Sequence, residues 1–174
     1  MNVYLFPTEL EAAPFREVAP DCEVVISGVG TVATAATIVE LYREGCIGEG
    51  SVVVLAGVAG SYDERLDYGE VVEVVEECCV ELPERFRTTY RNTPRTMLRG
   101  VRSNTMHATA KAEGALIENM EGAALFAMAE VLNIKVVEIR AVSNRVGESF
   151  AEWHLDYALG NLSKTLKSLI INEA

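Results

Sequence analysis

Short apolar runs alternate along this chain with stretches whose apolar positions recur at helical spacing, the pattern of an α/β fold. Strands are predicted over Asn2–Phe6, Cys22–Ser27, Ser51–Ala56, Gly69–Glu77, Ala115–Ile117 and Lys135–Ala141. Ser51–Ala56 and Lys135–Ala141 are nearly unbroken apolar runs, as strands covered on both faces require. Helices are predicted over Ala12–Val18, Thr31–Glu44, Glu121–Leu132 and Trp153–Ile171. Pro14 suits the first turn of the first helix, where no intrahelical donor is needed. Gly45 stops the second, whose small Ala33, Ala35 and Ala36 allow close packing on a sheet. Residues 78–114 have no clean period. They hold Pro83, Pro94 and a local excess of arginine (Arg85, Arg87, Arg91, Arg95, Arg99, Arg102), and read as a solvated loop with an edge hairpin, or as a binding or subunit-contact segment. No repeat or linker divides the chain, so 1–174 is expected to form a single domain.

Composition narrows the function. A chain of 174 residues buries roughly 70% of its unfolded surface, enough for a core without disulfides or metal. The net charge of −11 repels phosphate backbones and anionic lipid, which argues against nucleic acid and membrane as partners. Cys22, Cys46, Cys78 and Cys79 form no CxxC pair, and His107 and His154 are the only histidines, so no metal site is expected. The N-terminus lacks a basic signal-type region, and no apolar run reaches membrane-spanning length. A cytoplasmic protein with reduced thiols is expected.

Gly28-Val29-Gly30-Thr31-Val32-Ala33 follows a strand and opens a helix, as the dinucleotide fingerprint G-x-G-x-x-A does. The fingerprint expects an acidic residue at the end of the next strand. Leu55-Ala56-Gly57 stands there, which favours a close-packed turn over a cofactor site. Three other segments fall at strand ends, where open sheets place their ligands. They are Glu9-Leu10-Glu11, Glu118-Asn119-Met120-Glu121-Gly122 and Arg140-Ala141-Val142-Ser143-Asn144. Singly, each carboxylate could serve a helix N-terminus through the macrodipole, and Arg140 could be a structural ion pair.

In combination the segments resemble a family. Ile26-Ser-Gly-Val-Gly-Thr-Val-Ala33, Gly57-Val-Ala-Gly60, Ile117-Glu-Asn-Met-Glu121 and Arg140-Ala-Val-Ser-Asn144 occur in the order seen in purine nucleosidases of the nucleoside phosphorylase/hydrolase superfamily. The Asn-Met-Glu-Gly and Ser-Asn-Arg-Val-Gly forms are most similar to futalosine hydrolases, and next to methylthioadenosine/S-adenosylhomocysteine nucleosidases. The resemblance covers residues 1–76 and 115–150. It implies a three-layer α/β/α sandwich with a central mixed sheet, usually assembled as a homodimer or larger. It also implies a purine nucleoside as the small-molecule substrate and no cofactor.

Residue by residue, the resemblance gives Glu11 the role of activating the hydrolytic water and places Arg140 near that water. Met120 packs on the sugar, Glu121 binds ribose hydroxyls, and Asn144 engages the leaving base. Val58, Ala59, Gly60, Asn119 and Ser143 complete the substrate site. Two departures stand out. Members of the family are longer, with the shortfall falling in 78–114, and Val58 replaces a Ser frequent among the methylthioadenosine enzymes. The short middle fits a trimmed enzyme, a pocket finished by a neighbouring subunit, or a nucleoside-binding scaffold that has lost catalysis.

The implied chemistry needs a carboxylate to orient and deprotonate water, a grip on the ribose hydroxyls, and donors aimed at the purine as it gains charge. Phosphorolytic relatives carry a Gly-Asp/Asn-Pro turn and N-terminal arginines. Phe6-Pro7-Thr8-Glu9 stands here instead, with a carboxylate that repels phosphate, so water is the expected nucleophile. Asn144 cannot deliver a proton to a purine N7 as an Asp could, but its amide can donate to N7 or O6, which favours a 6-oxopurine such as hypoxanthine.

Overall fold

A computed structural model describes residues 2–108 and 111–172. Its strands are β1 (Asn2–Phe6), β2 (Glu23–Ile26), β3 (Val52–Ser61), β4 (Val71–Cys78), β5 (Thr89–Arg91), β6 (Arg99–Thr105), β7 (Ile117–Asn119) and β8 (Lys135–Arg145). Its helices are α1 (Glu9–Val18), α2 (Thr31–Arg43), α3 (Gly122–Leu132) and α4 (Leu155–Asn172). β1, β2, β3 and β8 run parallel, as their apolar runs require. β4 and β7 run antiparallel to β8 and β3, which makes the sheet mixed.

The pairings close on themselves. β3 binds β8 on one side and β7 on the other, β7 continues to β6 and β4, and β4 returns to β8. β1 and β2 extend from the first half of β3, and β5 lies at the outer edge of β4. Along β1 the side chains alternate with period two. Val3 and Leu5 enter a core with Ile38, Leu125 and Phe126, under α2 and α3. Tyr4 and Phe6 enter a second core with Phe15, Leu159, Leu162 and Leu166, under α1 and α4. The result is the α/β/α sandwich. No helix among the described residues is long and apolar enough to cross a membrane.

Several boundaries depart from the sequence reading, each for a local reason. α1 starts at Glu9 because Thr8 caps it, accepting from the Glu11 amide. Pro14 therefore sits inside the helix rather than in its first turn, and removes one intrahelical hydrogen bond. β3 continues five residues past Ala56 to Ser61, through Gly57 and Gly60, whose missing side chains hide the strand from a hydrophobicity reading. β8 likewise continues past Ala141 to Arg145.

The larger correction concerns 78–114. Only β5 is an edge strand. β6 lies inside the sheet, between β4 and β7, although Ser103, Asn104 and Thr105 are fully buried there. A strand that buries polar side chains carries no apolar signature. Tyr90 packs against the core, whereas Phe86 and Met97 are exposed. Residues 109 and 110 of this segment lie outside the described residues.

Leu162 is 1% exposed in the core under α4. Leu162→Ala is expected to destabilise the fold by about 2–5 kcal/mol through lost contact and a residual cavity. Urea unfolding of both proteins measures the difference.

Candidate active site

The first turn of α1 sets one wall. Thr8 and Glu11 have the spacing of a capping box, but the Glu11 side chain turns across to β3. Its Oε1 accepts from the Val58 amide at 3.1 Å, and its Oε2 accepts from Thr8 Oγ1 at 2.7 Å. The carboxylate is 8% exposed and aimed at the end of the sheet.

Arg140 comes from β8 and is 1% exposed, the largest fully buried side chain among the described residues. Its Nε donates to Glu138 at 2.8 Å, and its Nη2 donates to Glu121 Oε2 at 3.1 Å and to Asn119 Oδ1 at 3.2 Å. Burial alone would weaken the charge on this guanidinium, but Glu138, Glu121 and Glu11 outweigh burial and hold its pKa above the usual arginine range. A Cβ on Gly57 would lie 2.8 Å from both Arg140 Nη1 and Glu11 Oε1. Only glycine leaves room at this point of β3 for the guanidinium and the carboxylate to approach one another.

Asn119 and Glu121 flank the start of α3. Asn119 Oδ1 accepts from the Glu121 and Gly122 amides, capping the helix, while its Nδ2 donates to Glu77 and Ser103. Glu121 Oε1 accepts from the Gly30 amide at 2.9 Å. This contact explains the glycine-rich turn. Gly28 and Gly30 adopt φ of 78° and 89°, a side chain on Gly28 would collide with Ala33, and the amide at the head of α2 serves the protein's own carboxylate. The structure thus brings the turn and Glu121 together, a link sequence alone did not suggest.

The residues to which the resemblance gives a role line one open cavity of about 440 Å³: Glu11, Arg140 and Asn144, with Val58, Ala59, Gly60, Asn119, Met120, Glu121 and Ser143, whereas Glu9 pairs with Arg16. Met120 stands half-exposed on its wall. Asn144 is buried, its Oδ1 accepting from Ser143 Oγ and its Nδ2 giving one of two hydrogens to the Arg145 carbonyl.

The cavity also holds residues the sequence reading passed over. Phe150 and Trp153, a ring pair with centroids 5.2 Å apart, form an apolar rim between β8 and α4. Two aromatic residues three apart, just past a strand-end motif, were the signal available for them. His107 accepts from the Thr31 amide and is oriented by Glu81, at 2.8 Å from its Nδ1. Its signal was lost within 78–114. Glu118 pairs with the Tyr62 hydroxyl, and burial raises its pKa. Beneath Arg140, burial and the neighbouring Glu138 push Glu77 up to about 8. No group of three or more His, Cys, Asp or Glu among the described residues is arranged to hold a metal ion.

No protein of curated function matches the chain in sequence. A family model described as the phosphorylase superfamily matches residues 90–171. Solved structures with the same fold include the native futalosine hydrolase of Helicobacter pylori, at 13% identity and a TM-score of 0.82 over 98% of this chain and 97% of that one. Another is the Helicobacter pylori 5′-methylthioadenosine/S-adenosylhomocysteine nucleosidase with butyl-thio-DADMe-Immucillin-A, at 14% identity and 0.81 over 98% and 97%. The 5′-methylthioadenosine nucleosidase of Arabidopsis thaliana superposes at 19% identity and 0.80 over 98% and 94%. Over residues 90–171 the chain is thus similar to the phosphorylase superfamily, and along nearly its whole length it shares a fold with these structures.

Proposed function

We propose that this chain is a purine nucleosidase, a hydrolase that cleaves the N-ribosidic bond of a futalosine-like nucleoside and releases hypoxanthine. The observation that carries the reading is the convergence of Glu11, Arg140 and Glu121 on one cavity, with Arg140 facing both carboxylates. Similar structures that are nucleosidases by name support the reaction class.

In this reading Glu11, fixed by Val58 and Thr8, orients a water beneath the anomeric carbon and takes its proton as the glycosidic bond breaks. Arg140 holds Glu121 in place and faces Glu11 across Gly57. Each Glu121 oxygen already accepts one protein hydrogen bond, and each has a further lone pair for a ribose hydroxyl. Holding the sugar this way converts binding energy into alignment. Met120 covers a face of the sugar, while Val58, Ala59, Gly60, Asn119 and Ser143 shape the remainder of the pocket. Asn144 offers its remaining amide hydrogen to the leaving base. No cofactor or metal takes part.

Water is favoured over phosphate as nucleophile because Arg140, the only Arg or Lys among the described lining residues, is already matched by carboxylates. We further propose that the single 174-residue domain acts as a cytoplasmic homodimer, with the exposed Phe86 and Met97 of the middle segment at the contact. Release of adenine from methylthioadenosine or S-adenosylhomocysteine is the second reading, favoured by the like-folded enzymes that bear those names.

Replacing Glu11 with Gln keeps the acceptor for Val58 and removes the base. Glu11→Gln is expected to lower kcat about 10²–10⁴-fold with the fold unchanged. Chromatographic release of free base from inosine, futalosine and methylthioadenosine measures it, and turnover equal to wild type would place the base elsewhere. The base is read separately. Wild type is expected to cleave hypoxanthine nucleosides about 5- to 150-fold faster in kcat/KM than adenine nucleosides, the worth of one mispaired buried polar group. Asn144→Asp is expected to narrow or reverse that ratio. A wild-type preference for adenine, or a ratio indifferent to the substitution, would favour the second reading.

A further inference from the structure

Beneath Arg140 lie two carboxylates that the proposed hydrolysis does not use. The pairing of β4 with β6 shifts by one residue between Val74 and Glu76. A shift of one residue inverts the alternation, so that Glu77 joins the face of Val74. Glu76 is left at the surface with Arg91 and Arg102, while Glu77 is fully buried. Glu138 reaches the same place from β8, where it stands opposite Val74, and it too is fully buried.

Gly122, the first residue of α3, sits against both. A Cβ there would lie 2.5 Å from Glu138 Oε2 and 2.6 Å from Glu77 Oε2, so the two oxygens face one small volume. Glu77 Oε1 accepts from the Cys78 amide, and its Oε2 accepts from Asn119 Nδ2 at 2.7 Å. Glu138 Oε1 accepts from Arg140 Nε. Glu138 Oε2 is sealed from solvent and has no hydrogen-bond partner among the described residues.

The charges around this point do not balance. Glu77 from β4, Glu138 from β8, Glu121 at the head of α3 and Glu11 from α1 surround a single cation, Arg140. The groups that β6 and β7 add, Ser103 and Asn119, are neutral. Glu77 and Glu138, both sealed from water beside a guanidinium that Glu121 also engages, cannot both remain ionised. An orphaned carboxylate oxygen beside a second carboxyl group identifies where a proton would go.

We propose that Glu77 and Glu138 form an acid pair sharing one proton, with the Glu77 hydroxyl donating to Glu138 Oε2, and that this pair positions Arg140 and Asn119 for the site above. Glu138 holds the guanidinium at Nε, and Glu77 holds Asn119, which in turn caps α3 and accepts from Arg140. Loss of the proton sets two negative charges against one another under the helix head and loosens both supports. These are positioning residues and touch no substrate. The kinetic part rests on the nucleosidase reading; the pairing does not.

The sign of the pH effect follows from linkage. A carboxyl group that holds its proton more tightly folded than unfolded stabilises the fold fully at pH below the ordinary glutamate range. That stabilisation is lost as pH rises through the folded value of Glu77. In Glu77→Gln the amide still donates to Glu138 but no longer accepts from Asn119, a cost that does not vary with pH.

The test is urea unfolding of wild type and Glu77→Gln from about pH 5 to about pH 9, with kcat/KM followed over the same range. The unfolding midpoint is expected to shift in favour of the variant as pH rises. On the alkaline side wild-type kcat/KM is expected to fall about tenfold per pH unit while the variant stays level. A midpoint difference constant with pH, or an unchanged alkaline fall in the variant, overturns the proposal. Should Glu77→Gln not fold, infrared spectroscopy of wild type decides: a protonated-carboxyl C=O stretch persisting at neutral pH and lost in alkali supports the pair, and its absence refutes it. A pH-dependent gap without nucleoside cleavage by either protein leaves the pair intact and removes the nucleosidase reading instead.

Discussion

A guanidinium sealed in a protein interior cannot shed its charge, and the surroundings must answer it. Arg140 imposes that constraint here. Its Nε takes Glu138 from its own strand, its Nη2 takes Glu121 and Asn119 from the β7–α3 junction, and Nη1 faces Glu11 across Gly57. Removing one member of such a buried pair leaves an uncompensated charge, which costs far more than the pair itself contributes. The same contacts that make Arg140 tolerable in the interior fix the carboxylates of the cavity. Structure and proposed chemistry therefore depend on one side chain.

The sheet exists in a form that permits this. β3 is long enough to pair with β1 in its first half and with β7 at its end, while β8 follows it throughout. Gly57 and Gly60 fall in the second half, where the backbone must admit Glu11 and Arg140 on one side and Asn144 on the other. At the helix heads, Thr8 directs Glu11 inward, Asn119 caps α3, and Gly30 turns its amide to Glu121. The proposed ribose carboxylate is thus held from two helices and one strand, a preorganisation that catalysis rewards.

Much of this was legible in the sequence. The apolar runs of β1, β3 and β8 and the helical period of α2 and α3 placed the layers, and the strand-end motifs named residues that the fold gathers into one cavity. Failures came where side-chain type and burial part company. β6 escapes a hydrophobic reading because Ser103, Asn104 and Thr105 are interior yet polar, and their partners Ala112, Asn119 and Ala123 lie 8 to 18 residues further along the chain. The end of β3 was missed because glycine has no hydrophobic signature. Glu77 turns inward through the register shift in β4, which no hydrophobic pattern announces, and Glu138 meets it there from β8.

The claim that Arg140 is the charge on which the site is built is tested most directly by a double-mutant cycle in unfolding free energy. Arg140→Met alone is expected to cost about 3–5 kcal/mol, because it strands buried carboxylates. Adding Glu138→Gln is expected to recover part of that loss, with a coupling energy of at least about 1 kcal/mol. If the two substitutions instead add to within about 0.5 kcal/mol, Arg140 and Glu138 are energetically independent and the account is wrong.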